Sequence, residues 1–213
     1  RKEEQDGKTR IHLRIDPDGQ GLLIMNANRV VHLNPSAAFM AYLHLEGYDP
    51  DQIGRVMHKQ FQVAASQAKQ DYKYFSTQME MLLDPNGGCP VCELDLETTV
   101  PFSAKPSAPY RMDLALTYRC NNDCSHCYNA RSRRFPEMDV DHWKKVIDKV
   151  WELRIPHIVF TGGEPTLYNG LIELVAYAEN LGLITGLNTN GRKLANKEFL
   201  DSLVEAGLDH VQI

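Results

Sequence analysis

The stretch Met112-Asp113-Leu114-Ala115-Leu116-Thr117-Tyr118-Arg119-Cys120-Asn121-Asn122-Asp123-Cys124-Ser125-His126-Cys127 runs from an apolar segment straight into three cysteines. The run Met112–Thr117 predicts a strand, and the C-x3-C-x2-C loop follows it directly. Three thiolates this close on one loop can bind three irons of a cubane cluster and leave the fourth iron without a protein ligand. Like the open position of a catalytic zinc, an open iron is a place for a substrate to bind. The loop therefore predicts an iron–sulfur site built for chemistry. Zinc fits less well, because it needs a fourth ligand and His126 is too close in sequence to complete a tetrahedron. A simple electron carrier would supply a fourth cysteine.

Downstream, strands and helices alternate. His157–Thr161, Ile184–Asn188 and His210–Ile213 read as further strands, and Asp139–Arg154, Leu171–Asn180 and Asn196–Ala206 as helices. In the first of these helices Val140, Trp143, Ile147, Val150 and Trp151 are expected to face inward. Four strands with three helices between them predict a parallel α/β sheet or barrel wall, with its chemistry at the carboxyl ends of the strands. Three loops are then expected on one rim: the cysteine loop, Gly162-Gly163-Glu164-Pro165 and Asn188-Thr189-Asn190-Gly191. Taken alone, the second is a strand-to-helix turn and the third is ordinary Asn-Gly turn chemistry.

Upstream, residues 10–83 form a separate unit of three short strands followed by three helices. Ile11, Leu13 and Ile15 alternate, Asp16-Pro17-Asp18-Gly19 turns the chain, and Leu22–Met25 and Val30–Leu33 follow as strands. Asn34-Pro35-Ser36 and Asp49-Pro50 are helix starts. Ala68, Tyr72, Phe75, Met79 and Leu82 mark the third helix by their i, i+3/i+4 spacing. This is a small α+β, winged-helix-like unit. Residues 84–109 are a proline- and glycine-rich linker that carries Cys89-Pro90-Val91-Cys92. Residues 1–8 are polar and read as a mobile lead-in.

The 213 residues, 43% hydrophobic and 24% charged, suffice for one or two domains. A net charge of −5 supplies no basic field for nucleic acid. No signal core and no long apolar run argues for secretion or a membrane. The five cysteines are odd in number and crowded into 89–127, which favours metal over disulfides and a reducing, cytoplasmic setting. The chain opens without a Met and stops in an apolar run, which predicts a longer polypeptide.

The cysteine spacing, Tyr128 after it, and Gly162-Gly163-Glu164-Pro165 one βα unit later resemble the radical SAM superfamily over residues 110–213. The resemblance implies the first part of a (β/α)6 barrel, to be closed by roughly 60 further residues at about 30 per βα unit. It implies a [4Fe-4S] cluster on Cys120, Cys124 and Cys127, with S-adenosylmethionine chelating the open iron. His126 stands where the family usually has an aromatic residue near the adenine, and Gly162 and Gly163 present backbone carbonyls to the methionine amino group. Glu164, Asn188 and Asn190 become polar contacts to the cofactor. The implied reaction is reductive cleavage to a 5′-deoxyadenosyl radical that abstracts hydrogen from a substrate, fed by an electron donor such as flavodoxin or ferredoxin.

Residues 10–83 resemble the PqqD-like peptide-recognition domain of ribosomal peptide maturases, in element order and in standing before a radical SAM domain. That resemblance implies a precursor peptide whose leader adds as a strand along Val30, Val31, His32 and Leu33, beside the third helix. It leaves open whether the product is a crosslink, an epimerised centre or an excised backbone. A C-terminal domain of the SPASM type with auxiliary clusters is common in such maturases. Cys89 and Cys92 are candidates for a second metal site, zinc or auxiliary iron–sulfur; a redox dithiol and two plain thiols are the alternatives. Two other readings compete with peptide maturation. One is a radical SAM enzyme on a small molecule or tetrapyrrole. The other is an iron–sulfur or zinc regulator with a DNA-binding winged helix, disfavoured because the third helix mixes Lys69 and Lys73 with Asp71 and Glu80.

Overall fold

The computed structural model describes residues 2–4, 7–26, 29–83, 106–127, 129 and 135–213; Cys89 and Cys92 lie outside them. The chain divides into two compact units, Arg1–Ser107 and Ala108–Ile213.

In the first unit, β1 (Lys2–Glu4) and β2 (Gly7–Thr9) pair as a two-stranded ribbon. This corrects the expected mobile lead-in: antiparallel pairing needs only backbone groups, so a polar composition does not forbid it. β3 (Ile11–Ile15), β4 (Gly21–Met25) and β5 (Arg29–Leu33) form an antiparallel sheet in sequential order, with β4 central and wholly buried. The β3–β4 turn closes through the Asp16 carbonyl, which accepts from the Gly19 N–H at 2.8 Å. Three helices follow: α1 (Pro35–Leu45), α2 (Pro50–Phe61) and α3 (Ala65–Leu83). Asn34 caps α1, and Asp49 with Gln52 makes a reciprocal capping box on α2. All five α3 positions picked out by spacing are buried, in one core with Leu23, Met25, Ile53 and Met57.

In the second unit, β6 (Arg111–Thr117), β7 (His157–Gly162), β8 (Ile184–Asn188) and β9 (His210–Gln212) form a parallel sheet in sequential order. The crossovers carry α4 (Val140–Glu152), α5 (Leu171–Leu181) and α6 (Lys197–Glu205), capped by Asp139, Gly170 and Asn196. One row of side chains (Leu114, Leu116, Ile158, Phe160 and Leu187) packs with Ile147, Val150, Leu174 and Leu203 in the core. By the two-residue period of a strand, Asp113, Val159 and Gly186, which are paired in register, lie on the other face. Trp151, expected inward, is 41% exposed: it stands about 100° round α4 from Val150, beyond the stripe of Trp143, Ile147 and Val150. Among the described residues no helix is long and apolar enough to cross a membrane.

Ile147 is fully buried, so Ile147→Ala is expected to destabilise the second unit by about 2–4 kcal/mol in urea unfolding. Trp151→Ala should cost less than half of that.

Candidate functional site

The site is assembled where β6, β7 and β8 end. β6 pairs regularly with β7 until a register shift between Ala115 and Thr117, just before the cysteine loop. There the β7 loop is pressed against residues 117–119. The Gly163 N–H donates to the Thr117 carbonyl at 2.7 Å, and the Glu164 N–H to the Arg119 carbonyl at 2.8 Å. Only glycine fits this approach. Gly162 has φ +144°, and a Cβ there would stand 2.1 Å from the Thr117 carbonyl oxygen; one on Gly163 would stand 2.4 Å from that of Arg119.

Glu164 is 0% exposed. Its Oε1 accepts from the Thr166 N–H at 3.0 Å, the Thr166 hydroxyl at 2.6 Å and the Thr189 hydroxyl at 2.6 Å. Its Oε2 accepts from the Asn190 N–H at 2.8 Å. A buried carboxylate needs such donors, and here they come from two different loops. Asn190 then reaches the third: its Nδ2 donates to Asn121 Oδ1 at 2.7 Å, one residue after Cys120. Lys193 Nζ donates to the Thr166 carbonyl at 2.8 Å and closes the ring of contacts. The three loops expected on one rim are thus joined by hydrogen bonds. Glu164, expected as a cofactor contact, has its carboxylate turned into the protein.

Cys120 is half-buried, Cys124 and Cys127 are exposed, and all three are thiols. The Cys127 N–H donates to the Cys124 carbonyl at 3.1 Å, which curls the loop, and the Asn122 N–H approaches Cys120 Sγ at 3.4 Å. Among the described residues no three His, Cys, Asp or Glu side chains gather around a position for one metal ion. A cubane asks something else, one thiolate for each of three irons. Three accessible thiols on one curled loop, one receiving a backbone N–H, fit that requirement.

His126 is exposed beside them, and Asn188 is half-buried at the end of β8. The Gly162 carbonyl accepts from Asn129 Nδ2 at 2.6 Å; a carbonyl has two lone pairs, so this bond and a cofactor contact are compatible.

Several residues here were not singled out in the sequence. Arg119 forks onto Glu137, Nε to Oε1 at 2.6 Å and Nη2 to Oε2 at 3.1 Å, and Nη2 also donates to the Leu167 carbonyl at 2.8 Å. The Thr117 hydroxyl donates to Glu137 Oε1 as well. Tyr168 donates its hydroxyl to the Met138 carbonyl at 2.8 Å. The Arg119 guanidinium, followed by the Thr117 hydroxyl, holds the Glu137 carboxyl below its ordinary value against the opposing pull of burial, and Glu137 raises the guanidinium in turn. Burial, with nearby carboxylates after it, raises the Tyr168 phenol. No local pattern marks these residues, because their partners are 18 to 48 positions away.

Residues 114–213 match the radical SAM superfamily model. Over this segment the chain is similar to radical SAM proteins. It is 40% identical over 107 residues to a PqqA peptide cyclase of Bradyrhizobium diazoefficiens, a match over 49% of this chain and 28% of that protein. It is 37% identical over 110 residues to the PqqA peptide cyclase of Gluconobacter oxydans, over 51% of this chain and 30% of that protein. The chain therefore spans less than a third of the curated relatives it matches. Among solved structures, SuiB of Streptococcus suis bound to its precursor peptide SuiA superposes with a TM-score of 0.55 at 16% identity, over 93% of this chain and 45% of SuiB. SuiB bound to S-adenosylmethionine superposes with a TM-score of 0.56 at 18% identity, over 92% of this chain and 43% of SuiB. At these identities the likeness to SuiB is one of fold.

Glu164→Gln puts an amide donor against at least one of the four donors above, and is expected to destabilise the second unit by about 2 kcal/mol in urea unfolding. Glu137 titrates lower in the folded chain than in the unfolded one, so its pairing stabilises the fold above the ordinary carboxyl value of 4.5. That contribution fades as pH falls through the depressed folded value. Because the pair is partly exposed, Glu137→Gln should flatten the acid side of the stability–pH curve only slightly, measured by thermal unfolding between neutral pH and the acid limb.

Proposed function

We propose that this protein is a radical SAM peptide maturase. The observation that carries the reading is the three-thiol loop that follows residues 117–119, the stretch packed on the Gly162-Gly163 pair, within a segment 40% identical to a PqqA peptide cyclase. Cys120, Cys124 and Cys127 would hold a [4Fe-4S] cluster. The cluster and S-adenosylmethionine supply one-electron cleavage and a radical able to take hydrogen from a peptide. The chain's own residues bind and orient. The Gly162 and Gly163 carbonyls face the methionine end of the cofactor, His126 the adenine side, and Asn188 and Asn190 complete the polar rim. Glu164 acts from below, by fixing the loops that carry these groups.

The N-terminal unit is the proposed leader-binding domain. Its sheet of β3, β4 and β5 followed by three helices has the order of PqqD-like domains, and among the described residues β5 is an edge of that sheet. Val31 and Leu33 pack onto the core while Val30 and His32 face outward, so an incoming strand would find backbone donors and acceptors beside alternating side chains. Lys69 on α3 is engaged by Asp51 at 2.8 Å, which leaves that helix poorly suited to a DNA backbone. Cys89 and Cys92 are proposed ligands of a second site, zinc or an auxiliary cluster. An electron donor of the flavodoxin or ferredoxin class and a cytoplasmic location complete the reading, since a reducing compartment keeps thiols available.

Anaerobic reconstitution with iron and sulfide, followed by an assay for 5′-deoxyadenosine under strong reductant, tests the chemistry. Cleavage of S-adenosylmethionine is expected in the native protein and not in Cys124→Ala; absence of cleavage in the native protein sinks the reading. Titration with labelled peptides encoded beside the gene tests the substrate class. Saturable binding weakened at least tenfold by Val30→Asp is expected, and a lack of binding to every such peptide favours the small-molecule alternative.

A further inference from the structure

Arg119 stands between the end of β6 and Cys120, Glu137 stands shortly before α4, and these two side chains meet. Both guanidinium-to-carboxylate bonds are made, so the contact fixes orientation as well as distance. The same guanidinium reaches the Leu167 carbonyl, in the short 3-10 turn after Gly162-Gly163-Glu164. The Arg119 carbonyl takes the Glu164 N–H, and the Arg119 N–H donates to the Thr117 hydroxyl at 3.0 Å. One residue thus joins the entry of the loop, the segment before α4 and the glycine loop. That segment is held a second time by Tyr168, through the Met138 carbonyl.

We propose that the Arg119–Glu137 pair is a clasp that fixes the entry of the cysteine loop, and that both are positioning residues for the cluster. The inference rests on the radical SAM reading of Cys120, Cys124 and Cys127 and adds to it two residues whose side chains bond to each other. Arg119 adjoins the first ligand, so a shift at the clasp is passed directly to Cys120. The pair is 51% and 28% exposed, and ion pairs this open to water add little to global stability. Its contribution to folding is therefore small, and its main effect is on the cluster.

The test uses the full polypeptide, reconstituted anaerobically, in four forms: native, Arg119→Lys, Glu137→Gln, and the charge-exchanged Arg119→Glu/Glu137→Arg. Iron and sulfide content, the rate of iron loss to a chelator, and the electron paramagnetic resonance spectrum of the reduced protein are measured, with the unfolding midpoint of the metal-free forms beside them. Each single variant is expected to lose iron about tenfold faster, as when outer-sphere partners of metal ligands are removed, and to show an altered resonance spectrum. Metal-free unfolding should hardly change, and the exchanged pair should recover part of the native iron retention. Native protein that takes up no cluster overturns the proposed function and the clasp with it. Native protein that binds iron, with single variants releasing it at the native rate, overturns the clasp alone. So does iron loss that only parallels a drop in metal-free stability and is not recovered by the exchange.

Discussion

A carboxylate buried away from water is costly unless it is fully supplied with donors, and that constraint organises the rim of this domain. Glu164 is closed to solvent and collects two hydroxyls and two backbone N–H groups. Two of those donors, from Thr189 and Asn190, follow β8, so the ends of β7 and β8 are bound to each other through one side chain. Asn190 extends the link to Asn121 and so to the start of the cysteine loop. The start of the cysteine loop is thus tied, two contacts away, to a buried carboxylate.

The layering has a chemical logic. Beneath the rim the packing is tight: the glycine loop lies against residues 117–119 at distances that exclude a Cβ. Above it, two of the three thiols are open to solvent, where a cofactor can reach them. Close-packed backbone thus lies below and accessible thiols above.

The order of elements was legible in the sequence wherever periodicity was strong. The buried stripe of α3 follows from spacing alone, and the strand–loop–helix rhythm after residue 110 predicts a parallel sheet with three loops on one rim. What escaped were relations between distant residues. Glu164, next to a glycine pair, reads as an outward ligand because nothing local announces that Thr189 will meet it from 25 positions on. Arg119 and Glu137 look like ordinary surface charges until the loop between them is closed. Trp151 shows the converse error, where hydrophobic identity suggested burial that its angle on the helix does not provide. The ribbon of β1 and β2 was hidden because backbone pairing leaves little trace in composition.

The N-terminal sheet ends on β5, whose far side meets no strand among the described residues. Any such border can recruit an unrelated chain as readily as an intended one. Here it is short, five residues, with Arg29 at its start and His32 near its end. Arg29 donates to the Leu82 carbonyl, so its charge is held at the mouth of the strand. The cation at this entrance is already engaged, and the ladder that β5 offers is only five residues long, so any strand that adds here must draw on side chains as well as backbone.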